Sequence, residues 1–133
     1  MHKVIFACVH NAGRSQMAAA FFNQLANRMK AEAVSAGTEP GARVHPEVLA
    51  VMQEVGIDLS NAKPQKLTQE LANDAALLIT MGCGDQCPYV PGLRRHDWPL
   101  KDPMGLPMEE VRVIRDDIKN RVLTLLRDEN CAL

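Results

Sequence analysis

Short apolar runs alternate with longer amphipathic ones along this chain, and that alternation constrains the fold more than any other feature. Val4-Ile5-Phe6-Ala7 is a continuous apolar run of strand length, the pattern of a strand buried on both faces of a parallel sheet. The same reasoning predicts strands over Lys3–Val9, Ala31–Ala36, Ala75–Met81 and Leu93–Trp98. Helical spacing predicts helices over Ser15–Lys30, His45–Val55 and Met108–Leu126, with a short one over Lys66–Leu71. Pro46 stands near the start of the second helix and Gly56 just past its end, where such residues start and cap helices. Strands alternating with helices imply an α/β fold, a three-layer α/β/α arrangement around a four-stranded parallel sheet. With 133 residues and no linker-like tract, residues 1–133 are expected to form one domain.

Composition narrows the class of partner. The net charge is -1, which gives no footprint for nucleic acid or an anionic membrane surface. No apolar run approaches transmembrane length, and the N-terminus enters a strand without a signal-peptide core. A cytoplasmic location is therefore expected. In that compartment the four cysteines point to catalysis, redox chemistry or metal binding before structural disulfides.

In open parallel sheets, ligands bind beyond the carboxyl ends of the strands. Three loops then share one rim. The first carries Cys8-Val-His-Asn-Ala-Gly-Arg14-Ser15 between a strand and a helix. A thiol there faces a helix N-terminus and an arginine, a field that favours the thiolate. Backbone N–H groups of His10, Asn11, Ala12, Gly13, Arg14 and Ser15 can cradle a tetrahedral oxyanion, with Arg14 binding it bidentately. Arg14 in a first helical turn opposes the helix dipole, so a bound anion explains it better than propensity does. Ser15 is expected to cap the helix and to donate a hydrogen bond to Cys8. Asn11 is expected to take left-handed backbone angles that shape the loop. His10 reads as a loop filler beyond its backbone amide.

The second loop carries Cys83 and Cys87 in Gly82-Cys-Gly-Asp-Gln-Cys-Pro88. Cys-x3-Cys is not a common zinc spacing, so no metal is expected. A redox relay with Cys8 fits better, one thiol attacking a Cys8 adduct and the other resolving the disulfide. The third loop carries Asp102-Pro103, which is either turn chemistry or a general acid beside Cys8; the thiol loop favours the acid. Cys131, in a polar tail, reads as frayed and incidental. The methionines read as core filler. Glu109, Glu110, Arg115, Asp116 and Asp117 read as a solvated helix face.

Taken together, Cys8–Ala18, Ser35-Ala-Gly-Thr38, Gly56-Ile-Asp-Leu-Ser60, Thr80–Pro88, Trp98–Gly105 and Arg112–Ile118 resemble, in order, the motifs of arsenate reductases with the low-molecular-weight tyrosine phosphatase fold. The resemblance implies a flavodoxin-like sheet and arsenic detoxification chemistry. Cys8 would attack arsenate held by the loop amides and Arg14, and Asp102 would protonate the departing oxygen. Cys83 would attack the Cys8–arsenic adduct, releasing arsenite and leaving a Cys8–Cys83 disulfide. Cys87 would then leave a Cys83–Cys87 disulfide for an external reductant. Thioredoxin is that reductant in the well-known branch, where the redox cysteines stand farther apart. The Gly-Cys-Gly-Asp segment is similar to actinobacterial relatives, some of which use mycothiol, so mycothiol or glutaredoxin coupling is the alternative. Some relatives hold potassium with an acidic residue where this chain has Ala19. With Lys63 beside Ala62, potassium dependence is not expected here. No bound cofactor is expected, and phosphate or sulfate should mimic arsenate. A monomer and a homodimer both remain open. The competing readings are a low-molecular-weight protein tyrosine phosphatase and a non-enzymatic oxyanion or metal sensor. The resolving thiols have no task in hydrolysis, which sets the phosphatase reading second; weak phosphatase activity is compatible with the first.

Overall fold

A computed structural model describes residues 2–81 and 92–132 of the chain, the side chain of His2 excepted. The elements run β1 (His2–Cys8), α1 (Arg14–Leu25), β2 (Ala31–Gly37), α2 (Pro46–Glu54), α3 (Gln69–Asn73), β3 (Leu77–Thr80), β4 (Arg94–Asp97) and α4 (Met108–Asp128). The four strands form one parallel sheet in the order β2-β1-β3-β4. The expected α/β fold and four-stranded parallel sheet are therefore present. β1 is central because it is apolar on both faces: Val4, Ile5, Phe6, Ala7 and Cys8 are all buried.

Alternation along β1 divides the core. Val4, Phe6 and Cys8 join Met17, Phe21 and Phe22 of α1, Val48, Val51 and Met52 of α2, and Val111, Ile118 and Val122 of α4. Ile5 and Ala7 face the other way, onto Leu67, Ala72 and Leu78. One face thus carries three helices and the other the short α3 with its flanking segments. β4 is an exposed edge strand of Arg94, Arg95, His96 and Asp97, the charged composition that discourages pairing with another chain.

Several boundaries differ from the sequence reading. α1 ends at Leu25, well before Lys30. Ala26 leaves the helix with extended angles and bridges Ala132, while the Asn27 amide donates to the Cys131 carbonyl at 2.7 Å. Cys131 is consequently not frayed. It is 2% exposed, and its amide donates to the Leu126 carbonyl at 2.8 Å. The short helix begins at Gln69 with Thr68 as its N-cap, whose hydroxyl accepts from the Leu71 amide at 3.1 Å. Lys66 is instead extended and bridges Gly37. Gly56, with φ 80°, turns the chain after α2 as expected. Arg115 is not on a solvated face: it is buried, and donates to the Val51 carbonyl at 3.0 Å and to Glu54 at 2.8 Å. Met17, Met52 and Met81 fill the core, whereas Met29 and Met104 are exposed. Among the described residues no helix is long and apolar enough to cross a membrane.

Candidate active site

β1 delivers Cys8 to the carboxyl edge of the sheet at 2% exposure. The chain then makes a tight loop before α1. Asn11 supports it with φ 52°, the left-handed angle expected of that residue. Six consecutive carbonyls of this loop have donors. Cys8 O accepts from Thr38 N at 3.4 Å, Val9 O from Glu39 N at 2.8 Å, and His10 O from Gly41 N at 2.9 Å. Asn11 O accepts from Gln16 Nε2 at 3.1 Å, Ala12 O from His45 N at 2.9 Å, and Gly13 O from Met17 N at 3.0 Å. In a planar trans peptide the next N–H points opposite to the carbonyl. The N–H groups of Val9 to Arg14 are therefore turned away from these donors, toward the inside of the loop. Among the described residues nothing accepts from the amides of His10 to Arg14. A row of donors without acceptors among the described residues, at the start of a helix, is an arrangement that can cradle an anion.

Side chains below the loop hold it and orient the thiol. Asn11 Nδ2 donates to Ser15 Oγ at 2.7 Å, and Ser15 Oγ lies 2.9 Å from Cys8 Sγ. With Asn11 filling one lone pair of the hydroxyl, its proton is free to point at the sulfur, the arrangement a thiolate requires. Asn11 Oδ1 accepts from the Gln65 amide at 2.9 Å and from Gln16 Nε2 at 3.3 Å. Asn11 and Ser15 are fully buried, so these bonds form away from competing water. Ser15 is not the helix cap. Gly13 occupies that position and α1 starts at Arg14, which frees the Ser15 hydroxyl for Cys8. His10 packs loop against loop, its Nδ1 lying 2.9 Å from the Glu39 carbonyl.

Arg14 is 6% exposed. Its Nη1 donates to the Leu100 carbonyl at 3.1 Å, and its Nη2 lies 3.8 Å from Asp102 Oδ2. A half-exposed carboxylate at that distance is a weak partner for a buried guanidinium, which leaves Arg14 with charge that an anion could match. Asp102 Oδ1 accepts from the Met104 amide at 3.0 Å. The structure thus brings the thiol loop and the Asp102 loop together on one rim. Cys83 and Cys87 lie outside the described residues. Among the described residues, no group of three or more His, Cys, Asp or Glu is placed to hold a metal. Gln16, Ala19, Lys63 and Gln65 line a cavity of about 320 Å³ beside Asn11.

Sequence reasoning missed the supporting parts. Segment 38–45 supplies four of the six donors to the loop carbonyls. Gln16 and Gln65 fix Asn11, and the Leu100 carbonyl orients Arg14. Backbone donors and acceptors carry no residue signature. Gln16 had one signal, its place in the first turn of the helix directly after Ser15.

The sequence pattern of the family "Low molecular weight phosphotyrosine protein phosphatase" matches residues 3–131. A candidate arsenate reductase of Halobacterium salinarum is 40% identical over 129 residues, 94% of this chain and 91% of that protein. The glutaredoxin arsenate reductase of Synechocystis sp. is 39% identical, covering 95% of this chain and 97% of its own length. Among solved structures, the Corynebacterium glutamicum thioredoxin-dependent arsenate reductase superposes with a TM-score of 0.83 at 38% identity. That match covers 96% of this chain and 61% of the longer Corynebacterium chain.

Proposed function

The chain belongs to the low molecular weight phosphotyrosine protein phosphatase family, and from that premise we propose that it is an arsenate reductase working by a Cys8-Cys83-Cys87 relay. The observation that carries this reading is the buried Cys8 thiol at the start of a loop whose amides have no acceptor among the described residues and which ends in the buried Arg14, in a chain matched along its length by arsenate reductases. Arsenate binds in the cradle and against Arg14. The Cys8 thiolate attacks arsenic, and Asp102 gives a proton to the departing oxygen, which leaves as water. The Cys83 thiolate then attacks Cys8 Sγ. A Cys8–Cys83 disulfide forms, the sulfur–arsenic bond breaks, and its electron pair leaves with arsenic as arsenite. Cys87 attacks Cys83 Sγ, releasing the Cys8 thiolate and leaving a Cys83–Cys87 disulfide. Thioredoxin supplies the two electrons that reopen it. The Synechocystis relative, named for glutaredoxin, supports glutaredoxin as the second candidate donor. The cytoplasm, where these dithiol donors are kept reduced, is the compartment this chemistry requires.

Arsenite production is measured with thioredoxin, thioredoxin reductase and NADPH, for the parent and for Cys8→Ser, Cys83→Ser, Cys87→Ser and Cys131→Ser. The first three should lose multiple turnover. Cys131→Ser should keep it, because Cys131 sits at the far end of α4 from the cradle. Full thioredoxin-coupled turnover by Cys87→Ser refutes the relay. Turnover only with glutathione and glutaredoxin, or with mycothiol, replaces the donor and keeps the reaction. Rapid hydrolysis of an aryl phosphate with no arsenate reduction under any donor gives the site to the phosphatase reading.

A further inference from the structure

The loop that carries Asp102 buries one residue. Lys101, Met104 and Gly105 are exposed and Asp102 is half-buried, but Pro103 between them is buried. Its ring sits on the anion cradle. A Cβ built on Gly13 would lie 2.9 Å from Pro103 Cγ, 3.6 Å from Pro103 Cδ and 3.6 Å from Val48 Cγ2. The two loops therefore touch where Gly13 has no side chain, and the ring fills that space. A proline ring is closed onto its own backbone, so it cannot swing aside as a long side chain would.

The same residue sets the carboxylate from its other side. Proline restricts the residue before it to extended angles, which limits Asp102. Proline also lacks an N–H, so the first amide the Asp102 side chain meets is that of Met104, and Asp102 Oδ1 accepts from it at 3.0 Å. The Pro103 carbonyl accepts from the Leu106 amide at 3.1 Å, closing a turn in which Gly105 has φ 76°. Asp102 is thus fixed by a turn whose single buried anchor rests on the cradle. Arg14 joins the same two loops through the Leu100 carbonyl and Asp102.

From this packing we infer that Pro103 is a positioning residue for the general acid, acting through its seat on Gly13 and not through contact with substrate. The inference rests on the proposed roles of Cys8 and Asp102. It assigns Gly13 a second task besides its amide, since a Cβ there would press on the Pro103 ring at 2.9 Å and shift the seat of the acid loop.

The test is a double-mutant cycle read on turnover and on anion binding. Anion binding is read as protection of Cys8 by inorganic phosphate against iodoacetamide. Pro103→Ala should lower kcat for arsenate by roughly tenfold, since small misplacements of a reacting group carry costs of that order. The phosphate protection constant should stay within about twofold. In an Asp102→Asn background, Pro103→Ala should change kcat by less than about twofold, because the acid it positions is gone. Gly13→Ala should be impaired, and Gly13→Ala/Pro103→Ala should recover turnover toward that of Pro103→Ala alone, the colliding Cγ having been removed. Equal losses from Pro103→Ala in the parent and Asp102→Asn backgrounds would overturn the inference, as would failure of Pro103→Ala to relieve Gly13→Ala. Matching circular dichroism and melting curves across the set exclude a global folding defect. The cycle is repeated with para-nitrophenyl phosphate, whose departing oxygen needs the same proton. If the parent reduces no arsenate but cleaves the ester, the arsenate reading fails while the Pro103 cycle is still decided.

Discussion

Gly37→Ala tests the cradle at the point where the packing is tightest. A Cβ at Gly37 would lie 2.6 Å from the Val9 carbonyl oxygen, 2.9 Å from the Asn11 nitrogen and 3.0 Å from Asn11 Cβ. Two of the three contacts are backbone atoms of the anion loop, so no side-chain rotation relieves them. Gly37 cannot retreat. It pairs with Cys8 across β1 and β2, its amide donates to Gln65 O at 2.9 Å, and its carbonyl accepts from Leu67 N at 2.8 Å. The Val9 carbonyl must therefore move by about 0.4 Å to reach even 3.0 Å, the lower limit of real Cβ contacts. Overpacking of a dense region costs about 1–3 kcal/mol, which for a chain of this size is a fall in Tm of roughly 5–15 °C. The displaced loop carries the Asn11 amide, one of the cradle donors, so phosphate should bind about tenfold more weakly on the scale at which small misplacements cost rate. Thermal unfolding and phosphate protection of Cys8 from iodoacetamide read the two effects. A Gly37→Ala protein with Tm within about a degree of the parent and unchanged phosphate protection would refute the reasoning, because the loop would then have room that the distances deny.

Two further outcomes follow from named bonds. Ser15→Ala removes the hydroxyl 2.9 Å from Cys8 Sγ; a hydrogen bond to a charged group is worth about 1.5–3 kcal/mol, so alkylation of Cys8 at neutral pH should slow roughly tenfold or more, and an unchanged rate would deny Ser15 its role toward the thiolate. Glu54 is held down to about pKa 2, from an ordinary 4.5, chiefly by its hydrogen bond from Arg112 and further by Arg115. A carboxyl lowered in the folded state stabilises above its ordinary pKa and loses that contribution as pH falls through the folded value. Glu54→Gln should therefore unfold at lower urea than the parent at pH 7, with the gap closing between about pH 4.5 and pH 2; a gap independent of pH would exclude this ion cluster as its source.

Local patterns made much of the fold legible. Val4-Ile5-Phe6-Ala7 announces a central strand because burial on both faces demands four apolar residues in a row. Pro46 and Gly56 mark α2 because ring closure and left-handed angles are properties of single residues. What stayed hidden depends on partners distant in the sequence. Nothing between Leu25 and Lys30 forbids helix; α1 stops because Ala26 and Asn27 pair with Cys131 and Ala132. The same pairing buries Cys131, which its polar neighbours had marked as frayed. Arg115 looked solvated beside Asp116 and Asp117, yet the open end of α2 offers it the Val51 carbonyl and Glu54.

The candidate site divides along the same line. Cys8, Asn11, Arg14, Ser15 and Asp102 could be named from the sequence because each carries a functional group in a telling place. The means by which the loop faces its amides inward could not, because they lie in carbonyls. A loop whose carbonyls turned inward would repel an oxyanion whatever its side chains. Here Thr38, Glu39, Gly41 and His45 draw four of the six carbonyls outward. That segment carries no catalytic group and reads as ordinary loop, yet it fixes the polarity of the cradle. Arg14 illustrates the consequence. A guanidinium at the start of a helix is unfavourable by itself, and at 6% exposure its neutral partner among the described residues is one carbonyl, Leu100 O. An anion seated among the amides, as proposed, would satisfy the N–H groups that have no acceptor among the described residues and match the buried charge. The direction of the backbone and the buried charge of Arg14 thus favour the same partner, a tetrahedral oxyanion.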